Sequence, residues 1–142
     1  MALQSDRPYV SANFLVDLGD GAQGAAAGFA EVVFPVFAVA ADPRRADDAH
    51  GSATTGERLI LKRGVTGALN VYAWWHKARN GKPPQRRTVQ VHLLAEDHAT
   101  VVFSWRFRHA RPVSLTYSPL HALDGGVLIE TLEVEFERVE IA

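Results

Sequence analysis

The chain has 142 residues, no cysteine, and a formal net charge of −1 from 15 basic and 16 acidic side chains. That length suits one domain, expected to span residues 1–142, which buries about two-thirds of the surface of its unfolded chain. The lack of cysteine excludes disulfides, thiolate zinc sites and cysteine nucleophiles, and the balanced charge argues against a broad nucleic-acid footprint or a pull toward anionic lipid.

The opening residues, Met1 to Pro8, lack a basic region followed by an apolar core, so they do not read as a secretory signal. The longest apolar stretch, 32–41, is interrupted by Pro35 and is too short to span a bilayer. The expectation is synthesis in the cytoplasm with no membrane insertion.

Residues 13–18 form a short apolar run that ends in Gly19-Asp20-Gly21. Glycine tolerates positive φ and aspartate bonds its own backbone, so this is turn chemistry. Residues 22–27 read as a loop. Residues 29–39 are apolar and β-branched around Pro35, which cannot donate to a ladder. They are expected to form two strands, a bulge or an edge strand. Residues 41–57 carry almost nothing apolar and read as a long exposed loop. A strand follows at Leu59-Ile60-Leu61, ended by Arg63-Gly64.

One short helix is expected, capped by Thr66 or Asn70. Leu69, Tyr72, Ala73 and His76 share one face at i, i+3, i+4, i+7 spacing. Asn80-Gly81 stops it, and Pro83-Pro84 forbids its return. Beyond it, Val89, Val91 and Leu93 alternate with Thr88, Gln90 and His92. Glu96-Asp97-His98 marks a hairpin turn. Val101, Phe103, Trp105 and Phe107 then alternate with Val102, Ser104, Arg106 and Arg108. This pattern predicts a half-buried antiparallel pair. In the last segment, Leu132, Val134 and Phe136 alternate with Glu133, Glu135 and Glu137, but Val139 and Ile141 fall in the opposite phase. A bulge near Arg138 accounts for the shift. About seven short strands and one helix make a mainly β fold, an antiparallel barrel or sandwich.

No catalytic, cofactor-binding or metal-binding residue is assigned, and no cofactor is implied. The histidines are His50, His76, His92, His98, His109 and His121, and none has HxH or HxxxH spacing. There is no GxSxG elbow, and the glycines at 19, 21 and 24 lack the lysine and long helix of a phosphate loop. Glu130, Glu133, Glu135, Glu137 and Glu140 could pair for acid/base work if their environments differed. Three of them, however, alternate on one strand face and read as a solvated acidic stripe, with Arg106 and Arg108 as counter-charges to Glu133, Glu135 and Glu137 within or between subunits. Lys62, Arg63, Lys77, Arg79, Lys82, Arg86, Arg87 and Arg111 lie near Trp74, Trp75 and Trp105 in sequence. That mixture keeps a small ligand- or oligonucleotide-binding barrel open as an alternative. A hydrolase site assembled only in the fold is a third reading.

Several stretches, taken in order, resemble the tail-tube family of contractile phage tails and phage-like injection systems. They are Asn13-Phe14-Leu15-Val16, Gly28-Phe29-Ala30-Glu31-Val32 and Leu59-Ile60-Leu61-Lys62-Arg63-Gly64-Val65-Thr66. The helix from Leu69 to His76, the stretch Trp105-Arg106-Phe107-Arg108-His109-Ala110-Arg111-Pro112, and Ile129-Glu130-Thr131-Leu132-Glu133 complete the set. The resemblance implies a tail-tube-like β-barrel with one helix and a structural role without enzymatic activity. It also implies homohexameric rings stacked inside a sheath, with sheath, spike and baseplate proteins as partners in a phage-tail-like particle. The acidic-aromatic segment usual in the family after the Gly-Phe element is replaced here by Pro35 and its neighbours. A repeating tube subunit and a ring that begins the tube at the baseplate both remain open.

Overall fold

A computed structural model describes residues 7–39, 58–81 and 86–142. Seven strands, a 3-10 turn at Gly24–Ala26 and one α-helix make up the described chain. The strands are β1 (Phe14–Asp17), β2 (Glu31–Val33), β3 (Leu59–Gly64), β4 (Arg87–Leu94), β5 (Val101–Tyr117), β6 (Ile129–Glu135) and β7 (Arg138–Ile141). The helix, α1, is Asn70–Arg79. All pairings are antiparallel, in the order β1-β4-β5-β6-β3-β2, with β7 also on β5. The expected loop at 41–57 and the Pro83-Pro84 stop lie outside the described residues.

The organising element is β5. Its first part pairs with β4 on one side and β7 on the other, and its last part pairs with β6. It therefore belongs to two sheets, β1-β4-β5-β7 and β5-β6-β3-β2. The crossing point is visible in the register. Arg87 opposes Ala110 and Val89 opposes Phe107, so two steps on β4 face three on β5. The extra residue falls beside His109, which holds φ at +54°. A bulge of this kind bends and twists a strand, which is how one strand turns the corner between packed sheets. Phe107 and Ala110 are both buried because the alternation slips there.

The sequence pattern ended this strand at Arg108, and the structure extends it to Tyr117. Pro112 lies inside it, at a second register shift between Pro112 and Ser114. Proline is tolerated at a bulge because the missing N–H interrupts a ladder that is already broken. The phase change expected near Arg138 is present. β6 ends at Glu135, Phe136 stays buried, and β7 restarts at Arg138 opposite Arg108. The Glu137 N–H donates to the Arg108 carbonyl at 3.0 Å across this break.

Among the described residues thirteen buried side chains form the core cluster, including Val16, Leu59, Leu61, Val89, Val91, Phe107, Leu132 and Val134, with Val71 and Trp74 supplied by α1. The predicted inner face of β5 needs correction. Phe107 is buried and Trp105 packs on the core, but Val101 is exposed. Val102 and Ser104, expected to face solvent, are buried. Ser104 Oγ lies 2.7 Å from His92 Nδ1, so its position on that face is satisfied by a hydrogen bond.

The helix face also differs. Val71 and Trp74 are buried, with Trp75 and Ala78 half-buried on the same side. Leu69 and Tyr72 are exposed. The helix is apolar on both sides, so spacing alone selects neither, and the sheet surface decides. Neither proposed cap works as a cap. Leu69 occupies the N-cap position without a side-chain bond, and Thr66 Oγ1 accepts instead from the Ala68 N–H. The stop is as expected: Gly81 takes φ +71° and its N–H donates to the Ala78 carbonyl. β2 is an edge strand that ends before Pro35, as the proline requires.

Candidate functional site

Among the described residues, no three His, Asp or Glu side chains gather where a metal could be held. His92 has Ser104 as a partner, but its hydrogen bonds among the described residues include no carboxylate. The tryptophans that motivated an oligonucleotide reading are otherwise engaged. Trp74 is fully buried, Trp105 lies against Phe34 and Phe103 in the core wall, and Trp75 is covered by Tyr72 and the Arg79 guanidinium. His50 lies outside the described residues.

The acidic stripe resolves into local ion pairs. Glu135 pairs with Arg111, Glu133 with Arg58, Glu137 with Arg86, and Glu140 with both Arg108 and Arg138. All these groups are a third or more exposed, so each pair contributes little to stability. Arg106, offered as a counter-charge for Glu133, Glu135 and Glu137, donates to Gln90 Oε1 at 3.2 Å. It stands directly opposite Glu140 in the β5–β7 register, where its charge adds to those of Arg108 and Arg138.

Glu130 is the exception, because it does not belong to the stripe. It is buried and accepts from Arg63 Nε at 2.5 Å, with side-chain exposures of 7% and 2%. The two residues are direct cross-strand partners on β6 and β3. The Arg63 fork continues to the Ala26 carbonyl at 2.6 Å, the Ala68 carbonyl at 3.3 Å and Asn70 Oδ1 at 2.9 Å, and the guanidinium lies over the Phe29 ring. Asn70 Nδ2 in turn donates to Asp20 Oδ2 and to the Ala26 carbonyl. Burial alone would raise the Asp20 carboxyl. The Asn70 amide, the Ala22 N–H and the Arg87 charge outweigh it and hold the group below its ordinary value. The sequence offered a signal for this network: alternation puts Arg63 in phase with Leu59 and Leu61, and Glu130 in phase with Leu132 and Val134. Opposite charges at two inward positions mark a buried pair.

The second notable feature is a set of strands that, among the described residues, pair on one side only: β1, β2 and β7. β1 and β2 end the strand order, and a groove of about 440 Å³ lies between them. Tyr9, Val10, Phe14, Val32, Phe34 and Trp105 form much of its lining. Leu15 on β1 and Val33 on β2 are exposed. Short edge strands with apolar side chains are ready to pair with another chain.

A family model described as T4-like virus tail tube protein gp19 matches residues 10–140. The chain belongs to this tail tube family. Its motif residues fall at the positions just described: Arg63 and Glu130 in the buried network, and Trp105, Phe107 and Ala110 along β5 up to its corner. Solved structures share the fold. A chain from the sheath/tube terminator of a PVC extracellular contractile injection system, in the extended state, superposes with a TM-score of 0.74 at 16% identity, over 98% of this chain and 99% of that one. A chain of the PVC sheath-tube complex gives 0.71 at 14% identity, over 96% and 93%. A chain of the anti-feeding prophage baseplate gives 0.67 at 23% identity, over 97% and 97%. Among curated proteins no sequence match is found. The mainly β tail tube fold with one short helix, expected from the resemblance, is the fold observed.

Proposed function

We propose that this tail tube protein, acting as one domain over residues 1–142, forms homohexameric rings that stack as the inner tube of a contractile injection system, within a sheath and on a baseplate. The observation that carries this reading is that β1 and β2, each paired on one side only among the described residues, both contribute to the lining of one apolar groove. Among the described residues no strand covers the outer side of either edge, and Leu15 and Val33 are exposed there. A head-to-tail ring pairs such edges between neighbours. The apolar lining also suits a protein contact better than a polar ligand. Among the described residues no helix is long and apolar enough to cross a membrane. On this reading the chain is made in the cytoplasm and acts within a phage-tail-like particle.

A second reading, a ring that begins the tube on a spike at the baseplate, is favoured by the segment after β2. There Pro35 is buried, and Phe34 and Phe37 pack against Phe107 in place of the family's acidic-aromatic segment. Electron microscopy with analytical ultracentrifugation separates the two. Long tubes of the purified protein are expected for the repeating subunit. Isolated six-fold rings that stack only on a spike partner indicate the initiator. A strictly monomeric species at high concentration, with no assembly on a spike, would overturn both.

A further inference from the structure

We propose that Arg63 and Glu130 are a positioning pair: the buried guanidinium fixes where the first turn of α1 and the Gly24–Ala26 turn sit, and the pair is kept for that direction and not for stability. The helix has ten residues, which is too short to persist unsupported. It has no side-chain cap and no acidic residue in its first turn. Val71 and Trp74 hold its middle down by burial, with the Arg87 guanidinium over the Trp74 ring, but burial is non-directional and does not by itself fix where the first turn sits.

Among the described residues, Arg63 is the group that bonds the helix start both before and at its first residue. Arg63 donates to the Ala68 carbonyl just before the helix and to Asn70 Oδ1 at its first residue. The same fork holds the Ala26 carbonyl, and Asn70 links to Asp20 and Ala26. Glu130 roots the fork on β6, directly opposite Arg63 on β3. Three separate segments, β6, the Gly24–Ala26 turn and the start of α1, are thus referred to one planar group on β3. Burying both charges is costly, and an apolar pair of similar volume usually serves stability as well or better. What an apolar pair cannot supply is the angle of the fork.

The test is the variant Arg63→Met/Glu130→Leu, read by thermal unfolding and by amide exchange resolved by segment. The expected result is a melting temperature at or above that of the parent. Amides of α1 and of residues 19–27 should exchange about tenfold faster, while those of β4 and β6 are unchanged. Unchanged protection of α1 overturns the proposal, as does a uniform loss across the chain. Should the double variant fail to fold, Arg63→Lys replaces it. That change keeps the charge beside Glu130 and removes the fork, and it is expected to loosen α1 selectively. Equal protection of α1 in that variant also overturns the proposal.

A second arm rests on the ring assembly proposed above. The double variant should fold yet assemble poorly, because the exposed face of α1 and the groove region would no longer be presented in fixed relation. Assembly equal to the parent counts against the positioning role. Failure of the parent to assemble counts against the ring reading and leaves the exchange result to decide this one.

Discussion

The guanidinium carbon of Arg87 lies 4.8 Å from the centre of the Trp74 ring. This contact ties the start of β4 to the buried side of α1. Burial draws the Arg87 guanidinium down from its ordinary value, against the opposing pull of Asp20, and its buried Nη1 has no hydrogen bond among the described residues. The ring face offers the cation a favourable contact there. Trp74 is fully buried, so Trp74→Ala should cost about 3–5 kcal/mol in urea denaturation followed by far-UV circular dichroism. Trp74→Phe keeps a ring beneath Arg87 and should cost clearly less. Equal losses for the two variants would show that the ring contact contributes nothing.

His109 bears the left-handed backbone at the corner of β5, with φ +54°. A β-branched side chain is poorly tolerated there, whereas glycine meets no steric penalty. His109→Val should destabilise the protein by about 1–2 kcal/mol, and His109→Gly should be neutral or slightly stabilising. Differential scanning calorimetry on the two variants checks the order. Equal stability would mean that the corner relaxes to an extended conformation.

Gly19 and Gly21 separate backbone strain from crowding. Both hold positive φ, +76° and +72°. A Cβ on Gly19 would meet the Thr88 carbonyl oxygen at 3.1 Å, whereas one on Gly21 meets open space. Gly21→Ala should cost about 1 kcal/mol from conformation alone. Gly19→Ala should cost more, because the β1 turn must also move away from β4. Chemical denaturation of both variants measures the difference, and an equal loss would remove the crowding argument.

Acid should act on the β4–β5 hairpin. The Thr100 hydroxyl, together with the Thr100 and Ala99 N–H groups, holds the Asp97 carboxyl down from 3.8 to about 2. A folded value below the unfolded one means that the carboxylate contributes stability above the unfolded value, and this is lost as pH falls through the folded one. The parent and Asp97→Asn should therefore differ most in melting temperature above about pH 4, and their curves should converge toward pH 2. A gap that widens on acidification would contradict the assignment of Asp97 as the turn's acceptor.

Much of this fold was legible in the chain because strand and turn signals are local. Alternation in β4 and β6 predicted Val89, Val91, Leu132 and Val134 as core, and all four are buried. The glycine turn after β1, the Gly81 stop and the phase break at Arg138 were read from a few neighbouring residues each. The helix face was not, because Val71, Tyr72, Trp74 and Trp75 offer apolar surface on both sides. The extension of β5 to Tyr117 was hidden by Pro112 and by the slip at His109, which break the very period by which a strand is recognised.

Sequence by itself determined the strand periodicity, the turn chemistry and the motifs that mark a tail tube protein, since each depends on residue type and short spacing. Only the tertiary structure decided that Arg63 meets Glu130, 67 residues away, and that this pair reaches Ala26 and Asn70. Only the tertiary structure, likewise, placed the edges of β1 and β2 on either side of one apolar groove. Such contacts depend on which surfaces the sheets turn toward each other. That is settled by the corner in β5 and the packing around it, and no local pattern carries it.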